Sequence, residues 1–119
     1  MTTALEQTFQ AYVTCALWSS NDDNDSPLDD FASIDSLSVA TAAQMLEDCK
    51  DFLDANAALL DESGLSASQT GYDFWLTRNR HGAGFWDRGL GKVGDRLTDV
   101  AKAYGIVDIY IGDDGFVHH

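Results

Sequence analysis

Apolar residues recur in this chain with the period of a helix in four segments and with the period of a strand near its end. Leu5, Phe9, Tyr12, Val13, Ala16 and Leu17 follow a Thr3-Ala-Leu-Glu6 capping box, which predicts a first helix to about Trp18. Asn21 to Asp30 is polar, rich in turn-forming residues and holds the only proline, so it reads as a loop. A second helix starts between Asp35 and Thr41. Its apolar face is Ala42, Met45, Leu46, Cys49, Phe52, Leu53, Leu59 and Leu60, and Gly64 ends it. Ser66 to Gln69 forms another capping box and opens a shorter helix through Tyr72, Trp75 and Leu76 to about Arg78. Asn79 to Gly91 has no period. Val93, Leu97, Val100, Ala101 and Tyr104 give a fourth helix closed by Gly105.

Ile106 to Ile111 is β-branched and alternating, and Asp113-Asp114-Gly115 marks a turn before Phe116 and Val117, so a C-terminal β-hairpin is expected. Alone it would be marginal, and it must pack on the helices. The fold class predicted is α+β: one mainly helical domain over residues 1–119, with an acidic helical half (1–63) and a second half (64–117) holding the last helix and the hairpin. A chain of 119 residues buries roughly 65% of its unfolded surface and folds without staples.

Charge divides the chain in the same place. Residues 1–63 carry thirteen acids against Lys50 alone, a net of −12, while residues 64–119 carry seven acids and six bases, a net of −1. So negative a molecule repels phosphates, whose binding depends on Lys and Arg releasing counterions. Direct nucleic-acid binding is therefore disfavoured. A partner that itself presents a basic nucleic-acid groove is favoured. No apolar run approaches the eighteen or so residues of a membrane span, and no basic segment followed by an apolar run suggests secretion. Cys15 and Cys49 fall on apolar helix faces and are expected to be buried, reduced thiols. His118 and His119 have the look of a purification-tag remnant and are set aside from site arguments.

The segment from Gly71 to Gly94 concentrates six of the ten glycines, four of the nine Trp and Phe residues and four of the seven bases. Its run Asp73-Phe-Trp-Leu-Thr-Arg-Asn79, then His81-Gly-Ala-Gly-Phe-Trp-Asp-Arg88, followed by a helix and Gly112-Asp-Asp-Gly115, resembles a family of small proteins of phages, prophages and related mobile elements. The likeness covers roughly the last half of the chain. It implies a viral protein acting inside a bacterial cell, in the host cytoplasm, and it implies no reaction. This chain departs from the family at Arg80, where glycine is usual, so the turn there is expected to be made differently.

Two sets of residues are candidates for function. The first is acidic: Glu47, Asp51, Asp54 and Asp61 form one stripe on the expected second helix, with Asp48 and Glu62 beside it. Such carboxylates lie about 5–6 Å apart, near the spacing of phosphates on a strand. Asp22, Asp23, Asp25, Asp29 and Asp30 of the loop extend the array. This set suggests a nucleic-acid mimic or steric inhibitor of a host nucleic-acid-processing or defence protein, of restriction or CRISPR type. The plain alternative is a solvated face that keeps the protein dispersed.

The second set is Arg78, His81, Trp86, Asp87 and Arg88, a pocket in which His81 is a base oriented by Asp87 and arginines hold an anion. The plain alternative is structural: Phe74, Trp75, Phe85 and Trp86 cover the core, and Arg78, Arg80 and Arg88 pair with Asp73, Asp87 or Asp95 or stack on the rings. No nucleophile or phosphate loop supports catalysis, so no enzyme activity and no cofactor are expected. A third role, as a phage-assembly component, predicts self-association.

Metal ligation is not expected. Asp22 to Asp25 lacks the glycine and glutamate of a calcium loop, and His81, Cys15 and Cys49 form no zinc-type pair. Gly82-Ala-Gly84 is too short for a dinucleotide fingerprint.

Overall fold

The computed structural model describes residues 3–119, which form five α-helices and one two-stranded antiparallel sheet. The helices are α1 (Ala4–Ser19), α2 (Val39–Ala55), α3 (Ala57–Ser63), α4 (Ala67–Arg78) and α5 (Lys92–Lys102), and the strands are β1 (Tyr110–Ile111) and β2 (Val117–His118). Single 3₁₀ turns occur at Leu28–Asp30, Ile34–Ser36 and Phe85–Asp87. The mainly helical α+β domain expected from periodicity is the fold observed.

Caps set most helix starts. The Glu6 amide donates to Thr3 Oγ1, the Thr41 amide to Ser38 Oγ and the Gln69 amide to Ser66 Oγ, each at 3.1 Å. Each bond satisfies an orphan donor of a first turn. The Gln69 side chain does not reach back to complete its box; it donates to Asp73 Oδ1 at 3.0 Å.

α1 and α4 make the most extensive helix pair. Gly71 permits their approach: a Cβ there would stand 2.2 Å from the Thr8 carbonyl oxygen. Thr8 Oγ1 donates to the Ala67 carbonyl at 3.2 Å. Around this crossing lie the buried rings. Phe52 of α2 stacks on Phe74 with centroids 4.2 Å apart, and Tyr12 meets Trp75 edge-on at 5.3 Å. Phe85, Leu97 and Val117 complete the core. Trp86, expected to cover it, is half exposed.

The single helix expected from residue 35–41 to Gly64 is two helices. Asn56 leaves helical geometry (φ −122°, ψ 22°), and both its backbone amide and its side-chain Nδ2 donate to the Phe52 carbonyl. An Asn side chain that offers itself to a nearby carbonyl competes with the helix ladder. Gly64 closes α3 in the left-handed region at φ 71°. Arg80 itself stands in the left-handed region at φ 59°.

The hairpin is shorter than the alternation suggests. Only Tyr110 and Ile111 pair, with His118 and Val117. Upstream, the Val107 amide is taken by Asn79 Oδ1 at 2.8 Å, so this stretch is held by α4 and not by a strand. β2 docks on the start of α2, where the Ser38 amide donates to the Val117 carbonyl at 2.9 Å. His118 stacks on Tyr110 and hydrogen-bonds Asp114, and His119 Nδ1 lies 2.8 Å from Thr41 Oγ1. Both terminal histidines thus belong to the fold.

Candidate functional site

The polar side chains of the Asp73–Asn79 run are occupied in holding the fold. Asp73 is fully buried and binds Arg88 through two guanidinium nitrogens, at 3.1 Å from Nε and 2.7 Å from Nη2. Thr77 Oγ1 accepts the Phe85 amide at 3.2 Å, and a Cβ on Gly84 would sit 2.3 Å from that oxygen. Asn79 Nδ2 donates to the Trp75 carbonyl at 3.0 Å. Trp75 Nε1 donates to Ser19 Oγ at 2.9 Å.

Arg78 is the centre of this frame. Its guanidinium is buried and donates to Tyr12, Asp48 and the carbonyls of Tyr104 and Gly105 at 2.9–3.0 Å. Its Cζ also lies 5.5 Å from the Phe74 ring centre and 5.6 Å from that of Tyr104. One cation therefore ties α1, α2, α4 and the end of α5 together. Burial raises the Tyr12 hydroxyl pKa above its ordinary value, although Arg78 opposes the shift. Burial likewise pushes the Cys15 and Cys49 thiols up to about 12, and both are free.

The five residues proposed as a pocket do not converge. Arg78 is enclosed, and Arg88 is held on Asp73. Trp86 and Asp87 are exposed. His81 lines a different cleft of about 490 Å³ with Ser20, Asn21, Asp23, Asn79 and Tyr110, and its walls include none of Arg78, Asp87 or Arg88. The pairing of Arg88 with Asp73 and the stacking of Arg78 on aromatic rings follow the structural alternative. The acid that meets Arg78 is Asp48, from the other half of the chain.

The acidic residues divide into two groups. On α2, Asp48 is half-buried against Arg78 and also accepts from Gln44 Nε2, Asp51 accepts the Tyr104 hydroxyl, and Asp54 pairs with Lys50 at 2.9 Å. Asp61 stands on α3, beyond the break at Asn56, so the expected single stripe is interrupted. Glu62 shares a small cleft with Lys92 and Arg96 of α5. Glu47 is exposed.

The loop differs. Asp22 closes its own turn by accepting the amides of Asn24 and Ser26 at 2.9 Å, and Asp25 sits at φ 63°. Asp23, Asp25, Asp29, Asp30 and Asp35 are exposed, and among the described residues no salt bridge involves them. The first basic residue of the chain is Lys50; residues 1–49 contain no Lys, Arg or His.

Periodicity missed an exposed apolar group beside this loop. Trp18, Phe31 and Ile34 are 59%, 64% and 37% exposed. The available signal was Phe31 and Ile34 set in an Asp- and Ser-rich stretch, Asp29 to Ser36, that has no helical or strand period.

Among the described residues no three His, Cys, Asp or Glu side chains gather as metal ligands, and no helix is long and apolar enough to cross a membrane. No protein-family model, no curated protein and no solved structure matches this chain.

Proposed function

We propose that this is an acidic, non-catalytic binding protein whose N-terminal half occupies the basic, nucleic-acid-binding surface of a partner protein and keeps nucleic acid off it. The observation that carries this reading is the exposed carboxylate group from Asp23 to Asp35 within a stretch that holds no cation through residue 49. Such a surface attracts basic grooves over a Debye length of roughly 8–10 Å and repels phosphates. Glu47, Asp61 and Glu62 extend it more weakly. Asp48, Asp51 and Asp54 are already engaged within the molecule. The resemblance of the second half to phage proteins supports a partner among host nucleic-acid-processing or defence proteins, met in the host cytoplasm.

The test immobilises the protein, passes bacterial lysate over it and elutes with duplex DNA at constant ionic strength, then with salt. Elution of a nucleic-acid-binding protein by DNA is the expected result. Retention that DNA does not disturb would overturn the competitive reading. A second reading, a small-ligand-binding protein, draws on the polar cleft at His81 and predicts that His81→Ala abolishes ligand binding without loss of stability.

A further inference from the structure

We propose that the groove between α1 and residues 29–34 is the docking site for a basic segment of the partner that carries an apolar anchor side chain. This rests on the acidic-surface reading and adds the chemistry of the partner to it. The groove encloses about 410 Å³ between Gln10, Thr14 and Leu17 of α1 and Asp29, Ala32 and Ile34 of the facing loop, within the roughly 300–1,000 Å³ of small-ligand pockets. Its walls are mainly apolar.

Gln10, Thr14 and Trp18 follow one another at helical steps, so they share one face of α1 and Trp18 stands one turn beyond the groove. Phe31 and Ile34 stand on its other side, in the facing loop. Trp18 and Phe31, each more than half exposed, and the partly exposed Ile34 leave apolar surface near this concavity. Aromatic residues at such places dominate binding energy.

Charge decides what fills the groove. Asp29 is in its wall, the exposed Asp30 and Asp35 neighbour Phe31 and Ile34 in the chain, and residues 1–49 supply no cation. An acidic or neutral segment would leave these carboxylates uncompensated when the rim is desolvated, whereas Lys and Arg flanking an apolar anchor would pair with them. A second copy of this chain, itself at −13, brings like charge to like charge.

The test uses two short fluorescent peptides: lysines and arginines around a central leucine pair, and the same peptide with both leucines replaced by serines. The leucine peptide is expected to bind about tenfold more tightly. In an amide and indole NMR titration it should move the signals of Thr14, Trp18, Phe31 and Ile34. The double variant Phe31→Ser, Ile34→Ser should lose that preference and keep a dispersed spectrum, because neither side chain belongs to the hydrophobic core.

Equal affinity for the two peptides, lost together in Asp29→Asn, Asp30→Asn, would overturn the groove and leave the acidic-surface reading standing. Signal changes centred on His81, or a groove filled by self-association, would overturn it too. Binding of neither peptide would overturn the groove and withdraw support from the acidic surface as well.

Discussion

The run Asp73–Asn79 and the loop Asn21–Ser36 are both rich in polar residues, and the molecule uses them in opposite ways. In the first, Asp73, Thr77, Arg78 and Asn79 hold Arg88, the Phe85 amide, Tyr12 with Asp48, and the Val107 amide, and so join α4 to α1, α2 and the segments on either side of α5. In the second, Asp23, Asp25, Asp29, Asp30 and Asp35 are exposed, as are Phe31 and, in part, Ile34. The polar side chains of the Asp73–Asn79 run are thus explained as framework. The loop carries groups that the fold itself does not use. Such groups are where recognition is to be sought, since scaffolds commonly place binding residues on loops.

The sharpest way to break this comparison is at Arg78. Removing it as Arg78→Met leaves Asp48, Tyr12 and two carbonyls without their cation, and should cost about 3–5 kcal/mol in urea unfolding. A loss under about 1 kcal/mol would show that the frame is not held there. Gly71→Ala comes next: with the Thr8 carbonyl 2.2 Å from the new methyl carbon, α1 and α4 must part, at roughly 2–3 kcal/mol by thermal or urea unfolding.

A third effect is set by pH. Burial raises the Cys15 and Cys49 thiols from an ordinary 9.0 to about 12. Their contribution is therefore complete below pH 9.0 and is lost as pH rises toward about 12. Burial raises Tyr12 and Tyr104 in the same direction. The urea midpoint should be lower at about pH 10 than at about pH 7, and neither thiol should react with a thiol reagent in the native state. Rapid native labelling would show that one is open to solvent. The smallest effect is at Lys50→Ala. The Lys50–Asp54 pair is the exposed counterpart of Arg78–Asp48, and its loss should leave the urea midpoint essentially where it was, because solvent screens an exposed pair.

Much of this was legible in the chain. Apolar spacing placed the faces of α1, α4 and α5, and Ser66 marked where α4 begins. The break at Asn56 was not legible, because one residue leaving helical dihedrals does not disturb the spacing of Leu53, Leu59 and Leu60. The partner of Arg78 was not legible either: Asp48 lies thirty positions away, and local charge order pointed instead to neighbours in the same block. The strand expected over residues 106–109 failed because Asn79 takes the Val107 amide, a contact set by tertiary packing. Of the acidic set, the sequence shows the group but not its internal use, because Arg78 and Tyr104 reach Asp48 and Asp51 only through tertiary packing, while Lys50 pairs with Asp54 along α2. The groove arises where α1 meets a loop, and no spacing rule describes that meeting.

The central claim, that the acidic loop recognises and the aromatic block supports, is tested most directly by capturing lysate proteins with three forms side by side. These are the unaltered protein, a loop variant (Asp23→Asn, Asp25→Asn, Asp29→Asn, Asp30→Asn) and a block variant at exposed positions (Arg80→Ala, His81→Ala, Trp86→Ala). The account predicts that a DNA-displaceable partner is held by the unaltered protein and the block variant and is lost from the loop variant. Retention by the loop variant with loss from the block variant would contradict it and move the working surface to the other half of the molecule.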